Sequence, residues 1–165
     1  MVIKRILVPV DFSDRSLQAL DYAAELGRRF GAALTVLHVV EPVSPAPLAY
    51  GPMDDAGALL QELLRMGRRE LERVAAKLRK RRVSSATVLR VGVPYTEITG
   101  TAKRSRADLI VMSTHGRTGL ARALLGSVAE NVVRTAMCPV LTVRDSKPRP
   151  AARTPRRRAR RSVPT

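Results

Sequence analysis

The sequence is poor in residue types that several kinds of binding and catalysis require. It has no tryptophan, two phenylalanines, three tyrosines and one cysteine among 165 residues. Recognition of a ligand by stacked aromatic rings is therefore not expected, and the core must be built from aliphatic side chains. Cys138 cannot form an internal disulfide, so we interpret it as a small buried hydrophobic residue in a reducing, cytoplasmic setting.

Long apolar runs are also missing. No segment approaches the roughly 18 consecutive apolar residues that a membrane-spanning helix needs. The apolar stretch in the first segment, MVIKRILVPVDF, is too short for a signal peptide and ends at Asp11. We therefore expect a soluble protein with no membrane contact.

Positive charge is in excess and unevenly placed. The formal net charge is +16, and eight of the thirty Lys and Arg residues lie in residues 146–165, which contain no acid. This tail has four prolines and too little apolar surface to offset the entropy of ordering it. We predict one domain over residues 1–145 and a disordered basic tail over residues 146–165. The tail is either a contact for nucleic acid or another polyanion, or a solvated extension.

Before the tail, short apolar runs alternate with helical patterns. Such alternation predicts an α/β fold with an open five-stranded parallel sheet, helices on both faces and right-handed crossovers. The predicted strands begin at Ile3, Leu34, Ala86, Asp108 and Val140. The predicted helices run from the N-cap Ser13 to Gly31, from about Ala58 to Lys80, from Pro94 to about Ser105, and from Ser127 onward, with a long loop over residues 41–57.

The glycine-rich segment after the fourth strand is the first candidate for a binding site. In sheets of this kind, ligands bind beyond the carboxyl ends of the strands. Glycines let backbone amides approach a ligand closely, and the helix start that follows adds unpaired N–H groups, so the segment favours a phosphate site. Its basic side chains are those of His115, Arg117 and Arg122. The alternative is a plain strand-to-helix connection in which Ser127 and Glu130 form a capping box.

Several known phosphate and nucleic-acid motifs do not match. A P-loop needs a lysine before Ser127 and a different glycine spacing, and a dinucleotide fingerprint needs glycines in PVDFSD. The tetrapeptide GRTG resembles the GxxG clamp of a KH domain only weakly, because a buried strand precedes it. LRVGVPY lacks the acceptor aspartate of a receiver domain, and Asp11-Phe12-Ser13 lacks the D-x-D of a haloacid-type phosphatase.

The sequence resembles the universal stress protein family over nearly all of residues 1–145. The resemblance rests on ILVPVDFSDRSLQALDYAAELG, on LTVLHVVEP, on ADLIVMSTHGRTGLARALLGSVAENVVRTAMCPVLTV and on the order of strands between them. It implies a Rossmann-like sheet with strand order 3-2-1-4-5. Nucleotide-binding members carry G-2x-G-9x-G-S/T, whose backbone amides and final hydroxyl hold the ribose and phosphates of ATP. Gly116, Gly126 and Ser127 match this pattern, and Ser113 stands in place of its first glycine.

The resemblance also implies a set of nucleotide-binding residues. Asp11 matches the acid that meets the adenine amino group. The whole set consists of Pro9, Val10, Asp11, Val39, Met112, Ser113, Gly116, Gly126, Ser127 and Val128. His38 lies within an apolar strand, and we interpret it as a structural histidine with a satisfied hydrogen bond rather than as a ligand.

These expectations together describe an ATP-binding stress-response protein, a regulatory binding protein with at most slow ATP hydrolysis. Mg²⁺ or Mn²⁺ would accompany the phosphates, and two copies would form a homodimer through the last strand, Val140–Val143. The alternatives are a nucleotide-free stress protein, and a protein associated with nucleic acid or another polyanion through its basic tail.

Overall fold

The computed structural model describes residues 2–42, 54–114 and 126–144. Predictions that concern His115, Gly116, Arg117, Arg122 and the basic tail lie outside these residues. The nine elements are β1 (Arg5–Pro9), α1 (Asp14–Phe30), β2 (Ala33–Val40), α2 (Asp54–Lys80), β3 (Ser85–Val91), α3 (Pro94–Arg104), β4 (Leu109–Ser113), α4 (Ser127–Thr135) and β5 (Val140–Val143).

The five strands form one parallel sheet in the order β3-β2-β1-β4-β5. The predicted fold class and strand order are therefore confirmed. The first strand lies in the centre of the sheet and pairs with β2 on one side and with β4 on the other. Within the described ranges, no helix is long and apolar enough to cross a membrane.

Side chains along the strands alternate between two apolar layers, as the pleat of a sheet requires. One layer packs against α1 and α2, and the other packs against α3 and α4, so both faces of the sheet are covered. The core is aliphatic, as the composition predicts. Its fully buried strand residues are Ile6, Val8, Leu34, Val36 and Val111 in the first layer and Leu7, Leu37 and Ile110 in the second.

Both predicted ends of α1 are confirmed. The Ser13 side chain accepts a hydrogen bond from the backbone N–H of Ser16, and Gly31 ends the helix in the left-handed conformation with φ 64°. The start of α2 differs from the prediction, because the helix begins at Asp54 rather than near Ala58. Gly57, which we assigned to the loop, lies inside this helix with open space around it.

The capping box that we gave as the alternative interpretation of the start of α4 is not formed. The N-cap is Gly126 in an extended conformation, and Ser127 is already the first helical residue. The Gly126 amide donates to the carbonyl of Thr114 at 2.7 Å, and its carbonyl accepts from the Glu130 amide at 2.9 Å. Because Gly126 is fixed to the end of β4 in this way, the helix starts one residue earlier than the capping box requires.

Asp108 joins the amino-terminal ends of β1 and β4. Its carboxylate accepts hydrogen bonds from the backbone N–H groups of Lys4 at 2.9 Å and Arg5 at 2.8 Å, and its own amide donates to the Arg5 carbonyl at 2.8 Å. The hydrogen bond from Lys4, followed by those from Arg5, holds the pKa of Asp108 below its usual value. These bonds extend the short pairing of the two central strands beyond the register of the ladder itself.

We expect Gly27→Ala to destabilise the protein, although alanine is the better helix former. A Cβ at this position of α1 would lie 2.5 Å from Leu34 Cδ1 and 3.1 Å from the Ala32 carbonyl oxygen. Leu34 is fully buried, so a shift of its side chain would disturb its packing in the core. Overpacking of this kind costs about 1–3 kcal/mol, which chemical denaturation will measure. The matched control is Gly57→Ala in α2, where open space lets the higher helix propensity raise stability by about 0.5–1 kcal/mol; equal stability changes in the two variants would contradict the packing argument.

Candidate functional site

A cavity of about 520 Å³ lies at the carboxyl edge of the sheet. This volume is in the range of small-molecule sites in proteins. The ends of β1, β2 and β4 form its floor, and all four helices contribute to its walls. Because β1 leads to β2 on one side and lies beside β4 on the other, the cavity sits where the strand order reverses, which is the usual ligand position in such sheets.

The structure brings nine of the ten predicted site residues together around this cavity. The tenth, Gly116, lies outside the described residues. The nine are Pro9 at the end of β1, Val10 and Asp11 after it, Val39 in β2, Met112 and Ser113 in β4, and Gly126, Ser127 and Val128 at the start of α4. Residues far apart in sequence thus line one space, although the sequence alone gave no distances between them.

Asp11 lies in a tight turn between β1 and α1. Its carboxylate accepts hydrogen bonds from the Ser13 hydroxyl at 2.6 Å and from the Ser13 backbone N–H at 3.0 Å. The Ser13 hydroxyl in turn accepts from the Ser16 amide and caps the helix. Asp11 is therefore oriented by the first turn of α1, and its side chain is half-buried at the cavity wall.

His38 holds the same turn from the other side. Its Nδ1 lies 2.8 Å from the Val10 carbonyl oxygen, and because a carbonyl only accepts, this nitrogen carries the hydrogen. The ring also packs at a tilt on Phe12, with centroids 4.4 Å apart. Phe12 has a φ of 64°, which is uncommon for a residue with a side chain and indicates a turn fixed by its surroundings. The structure confirms the hydrogen bond expected of a structural His38, and the ring also lines the cavity.

Part of the cavity wall comes from α2, which the sequence analysis did not include in the site. Leu63, Met66, Gly67 and Glu70 face the cavity. Gly67 allows this approach, because a Cβ there would lie 3.0 Å from His38 Cδ2 and 3.1 Å from Leu89 Cδ1. A glycine in the middle of a long helical pattern was the available signal, since such a residue often marks close packing.

The polar groups of the cavity are unequally distributed. Asp11, Glu41 and Glu70 supply carboxylates, and among the described lining residues there is no Lys or Arg. Positive potential comes instead from the amino-terminal end of α4, whose first residues line the cavity. The first i to i−4 bond of this helix is donated by Glu130, so the amides of residues 127–129 precede the intrahelical ladder.

Ser113 ends β4 and is mostly buried at the cavity wall. The neighbouring Thr114 is also buried, and its amide donates to the Val143 carbonyl at 3.1 Å, which fixes the end of β4 against β5. The cavity volume of about 520 Å³ is measured with the Ser113 side chain in place. A serine at this position is therefore compatible with an open cavity.

Comparison with known proteins identifies the family. The family model described as the universal stress protein family matches residues 3–144. A curated relative, universal stress protein MJ0531 of Methanocaldococcus jannaschii, is 40% identical over 145 residues, covering 87% of this chain and 84% of the relative. The chain belongs to the universal stress protein family.

Solved structures of universal stress proteins and related chains share the fold. The structure of M. jannaschii MJ0577 superposes with a TM-score of 0.79 at 28% identity, covering 89% of this chain and 99% of the other. A universal stress protein of Archaeoglobus fulgidus, solved in complex with dAMP, superposes with a TM-score of 0.59 at 25% identity. The match covers 86% of this chain and 98% of the other. The Rossmann-like arrangement of this chain is thus the arrangement of its family.

The single cysteine of this universal stress protein lies away from the cavity lining. Cys138 is half-buried and packs against the apolar layer below α3 and α4. Burial, together with the nearby charge of Asp108, raises the pKa of the thiol. A thiol with a raised pKa is a poor nucleophile at neutral pH, which agrees with the interpretation of Cys138 as a packing residue.

We expect His38→Phe to loosen the turn that carries Asp11. Phenylalanine keeps the ring volume but removes the donor to the Val10 carbonyl, at a cost of about 1 kcal/mol. Amide hydrogen exchange of residues 10–13 should become faster, while exchange in α3 should not change. In His38→Asn the amide nitrogen lies near the position of Nδ1 and restores a donor, so its exchange rates should lie closer to those of the unmodified protein. Unchanged exchange in His38→Phe would mean that this hydrogen bond does not hold the turn.

Proposed function

We propose that this universal stress protein binds ATP in the cavity at the carboxyl edge of its sheet and acts as a nucleotide-dependent regulatory protein. The observation that carries this proposal is the convergence of nine predicted nucleotide-binding residues on one cavity of about 520 Å³. The complex of the related A. fulgidus protein with dAMP supports an adenine nucleotide as the ligand class.

The adenine base would occupy the part of the cavity between Asp11 and the strand ends. The buried side chains of Val10 and Met112, with the half-buried Val39, provide apolar walls for a flat ring. Asp11 would accept a hydrogen bond from the adenine amino group. A carboxylate prefers this donor to the carbonyl oxygen that guanine carries at the same place, so the site would discriminate between the two bases.

The phosphates would lie at the start of α4. The amide of Gly126 already donates to Thr114, so it is not a phosphate donor. The amides of Ser127, Val128 and the next residue precede the helical ladder and lie at the positive end of the helix dipole, which favours an anion. The Ser127 hydroxyl does not cap the helix, and it matches the final hydroxyl of the family pattern.

A divalent cation would accompany the nucleotide. The described part of the chain brings together no group of three or more His, Cys, Asp or Glu side chains suited to a metal ion. Mg²⁺ or Mn²⁺ would therefore take its ligands mainly from the phosphates and from water, as Mg²⁺ commonly does. It would also offset repulsion between the phosphates and the carboxylates of Glu41 and Glu70. Hydrolysis would be slow at most, because the sequence carries no Walker lysine.

The ATP site is tested by Asp11→Asn in the full chain. We expect the unmodified protein to bind ATP with Mg²⁺ more tightly than GTP, and Asp11→Asn to weaken ATP binding about tenfold, because a hydrogen bond to a charged acceptor contributes roughly 1.5–3 kcal/mol. Isothermal titration with each nucleotide measures both affinities. GTP affinity should fall less than ATP affinity.

The matched control is Asp14→Asn. Asp14 lies one turn further along the chain, is exposed and is not among the cavity-lining residues, so the same charge change should leave ATP affinity within twofold. If the unmodified protein binds no ATP, the nucleotide-free alternative holds. Equal losses in the two variants would assign the effect to net charge rather than to contact with adenine.

We further propose that two copies associate through β5. Among the described strands, β5 is at the edge of the sheet, so its outer backbone groups can pair with a strand of another copy. The neighbouring surface is apolar, with large exposed fractions for Met137 (85%), Val133 (47%) and Leu141 (41%). Apolar surface of this kind, continuous with an open strand edge, suits a second copy of the same chain.

Leu141→Asp should convert the dimer to a monomer, because it places a charge in the apolar contact of both copies. Sedimentation equilibrium or light scattering measures the molar mass directly. The matched control is Leu59→Asp in α2, where the leucine is 43% exposed but lies on a different element. A monomeric mass for the unmodified protein, or an unchanged mass for Leu141→Asp, would contradict association through β5.

A further inference from the structure

The edge of the sheet opposite the cavity is strongly basic. In a parallel sheet with helical crossovers, each helix ends where the next strand begins, so the last turns of all four helices meet at this edge. Every one of these last turns carries Lys or Arg. We define the basic edge as the thirteen exposed Lys and Arg side chains of residues 4–5, 28–29, 77–82, 103–106 and 134.

Few acids balance the basic edge. In the described residues, its ion pairs involve only four carboxylates, those of Asp21, Glu25, Glu97 and Asp108. The densest part is the end of α2, where five cations occur within residues 77–82. Only Arg81 among these five has an ion pair in the described structure, with Asp21. The local charge is therefore strongly positive.

The helix dipoles alone do not explain so many positive charges at the basic edge. A helix end carries about half an elementary charge, and one or two cations are enough to complement it. Additional like charges at helical spacing repel one another and lower stability. The five cations at the end of α2 exceed what the dipole can use. Solvent and salt screen this repulsion only in part, and a bound polyanion would replace it with attraction.

We propose that the basic edge binds the phosphate backbone of a nucleic acid, without reading its sequence. Nine of the thirteen side chains are arginines, whose planar forks match phosphate oxygens in pairs. Duplex DNA presents one negative charge per roughly 1.7 Å of its axis and carries condensed counterions. A surface with many cations displaces these counterions, and their release favours binding. Proteins that bind single strands stack the bases on several aromatic side chains. Among the described residues at this edge, Phe30 is the one exposed aromatic residue, so the edge suits a duplex better than a single strand.

An anionic membrane is the weaker match. Attachment of a protein to a membrane surface generally combines cations with a substantial apolar face that inserts among the lipids. Near the basic edge, the exposed large apolar side chains in the described structure are Val2, Phe30 and, beside Arg134, Val133 and Met137. Four side chains make a small insertion surface compared with thirteen cations. The charge of the edge, rather than its apolar surface, dominates its chemistry.

The basic edge is distinct from the basic tail. The tail comprises residues 146–165, whereas the basic edge is formed by residues of the domain itself. The basic edge lies at the amino ends of the strands, opposite the cavity. Its binding of nucleic acid therefore does not depend on the tail, and it does not depend on ATP binding either.

The test uses the full chain and a labelled DNA duplex of about 20 base pairs, with affinity measured by fluorescence anisotropy at about 50 and 200 mM salt. The edge variant carries Lys77→Gln, Arg79→Gln and Lys80→Gln, all at exposed positions. We expect its affinity at the lower salt to fall at least about tenfold, and the slope of log affinity against log salt to become shallower by about two to three.

Two further variants remove three positive charges elsewhere. The surface control carries Arg68→Gln, Arg69→Gln and Arg90→Gln, which are exposed and outside the basic edge. The tail variant carries Arg156→Gln, Arg157→Gln and Arg158→Gln. The proposal would be overturned if the surface control lost as much affinity for DNA as the edge variant, or if only the tail variant lost affinity. Tighter binding to phosphatidylserine vesicles than to DNA, with the same dependence on the edge residues, would reassign the surface to membranes.

Discussion

The pairing of β1 with both β2 and β4 is the constraint on which the other features depend. Because the chain leaves the central strand first toward one edge of the sheet and later toward the other, its crossovers cover opposite faces. The helices α1 and α2 lie on one face, and α3 and α4 lie on the other. A crevice is left at the carboxyl ends of β1 and β4, and backbone turns from both faces meet there.

Much of this arrangement was predictable because it depends on local patterns. Alternating apolar runs and helical repeats predicted the strands and helices, and Ser13 and Gly31 predicted the ends of α1 through capping chemistry that involves only neighbouring residues. The sequence resemblance then supplied the strand order and the candidate ligand residues. Their convergence on one cavity follows from topology, because the carboxyl ends of parallel strands share one edge.

The errors and omissions have a common physical cause, which is contact between distant segments. The N-cap of α4 is Gly126 because the carbonyl of Thr114, twelve residues earlier in the chain, fixes its amide. The turn around Asp11 depends on His38, a residue of another strand. The approach of α2 to the cavity depends on Gly67, which has no side chain to keep the helix away from His38. None of these contacts leaves a periodic signal in the sequence.

The common direction of the helices gives the domain two opposite electrostatic ends. Acidic residues occur in the first turns of α1, α3 and α4, and basic residues occur in all four last turns. At the cavity, an anion would meet backbone amides in a partly enclosed space, where salt screens charge weakly. At the basic edge, a polyanion would meet exposed side chains, where the attraction falls steeply as salt rises. The two proposed anion sites thus differ chemically, and ionic strength should affect them unequally because one is partly enclosed and the other is fully exposed to solvent.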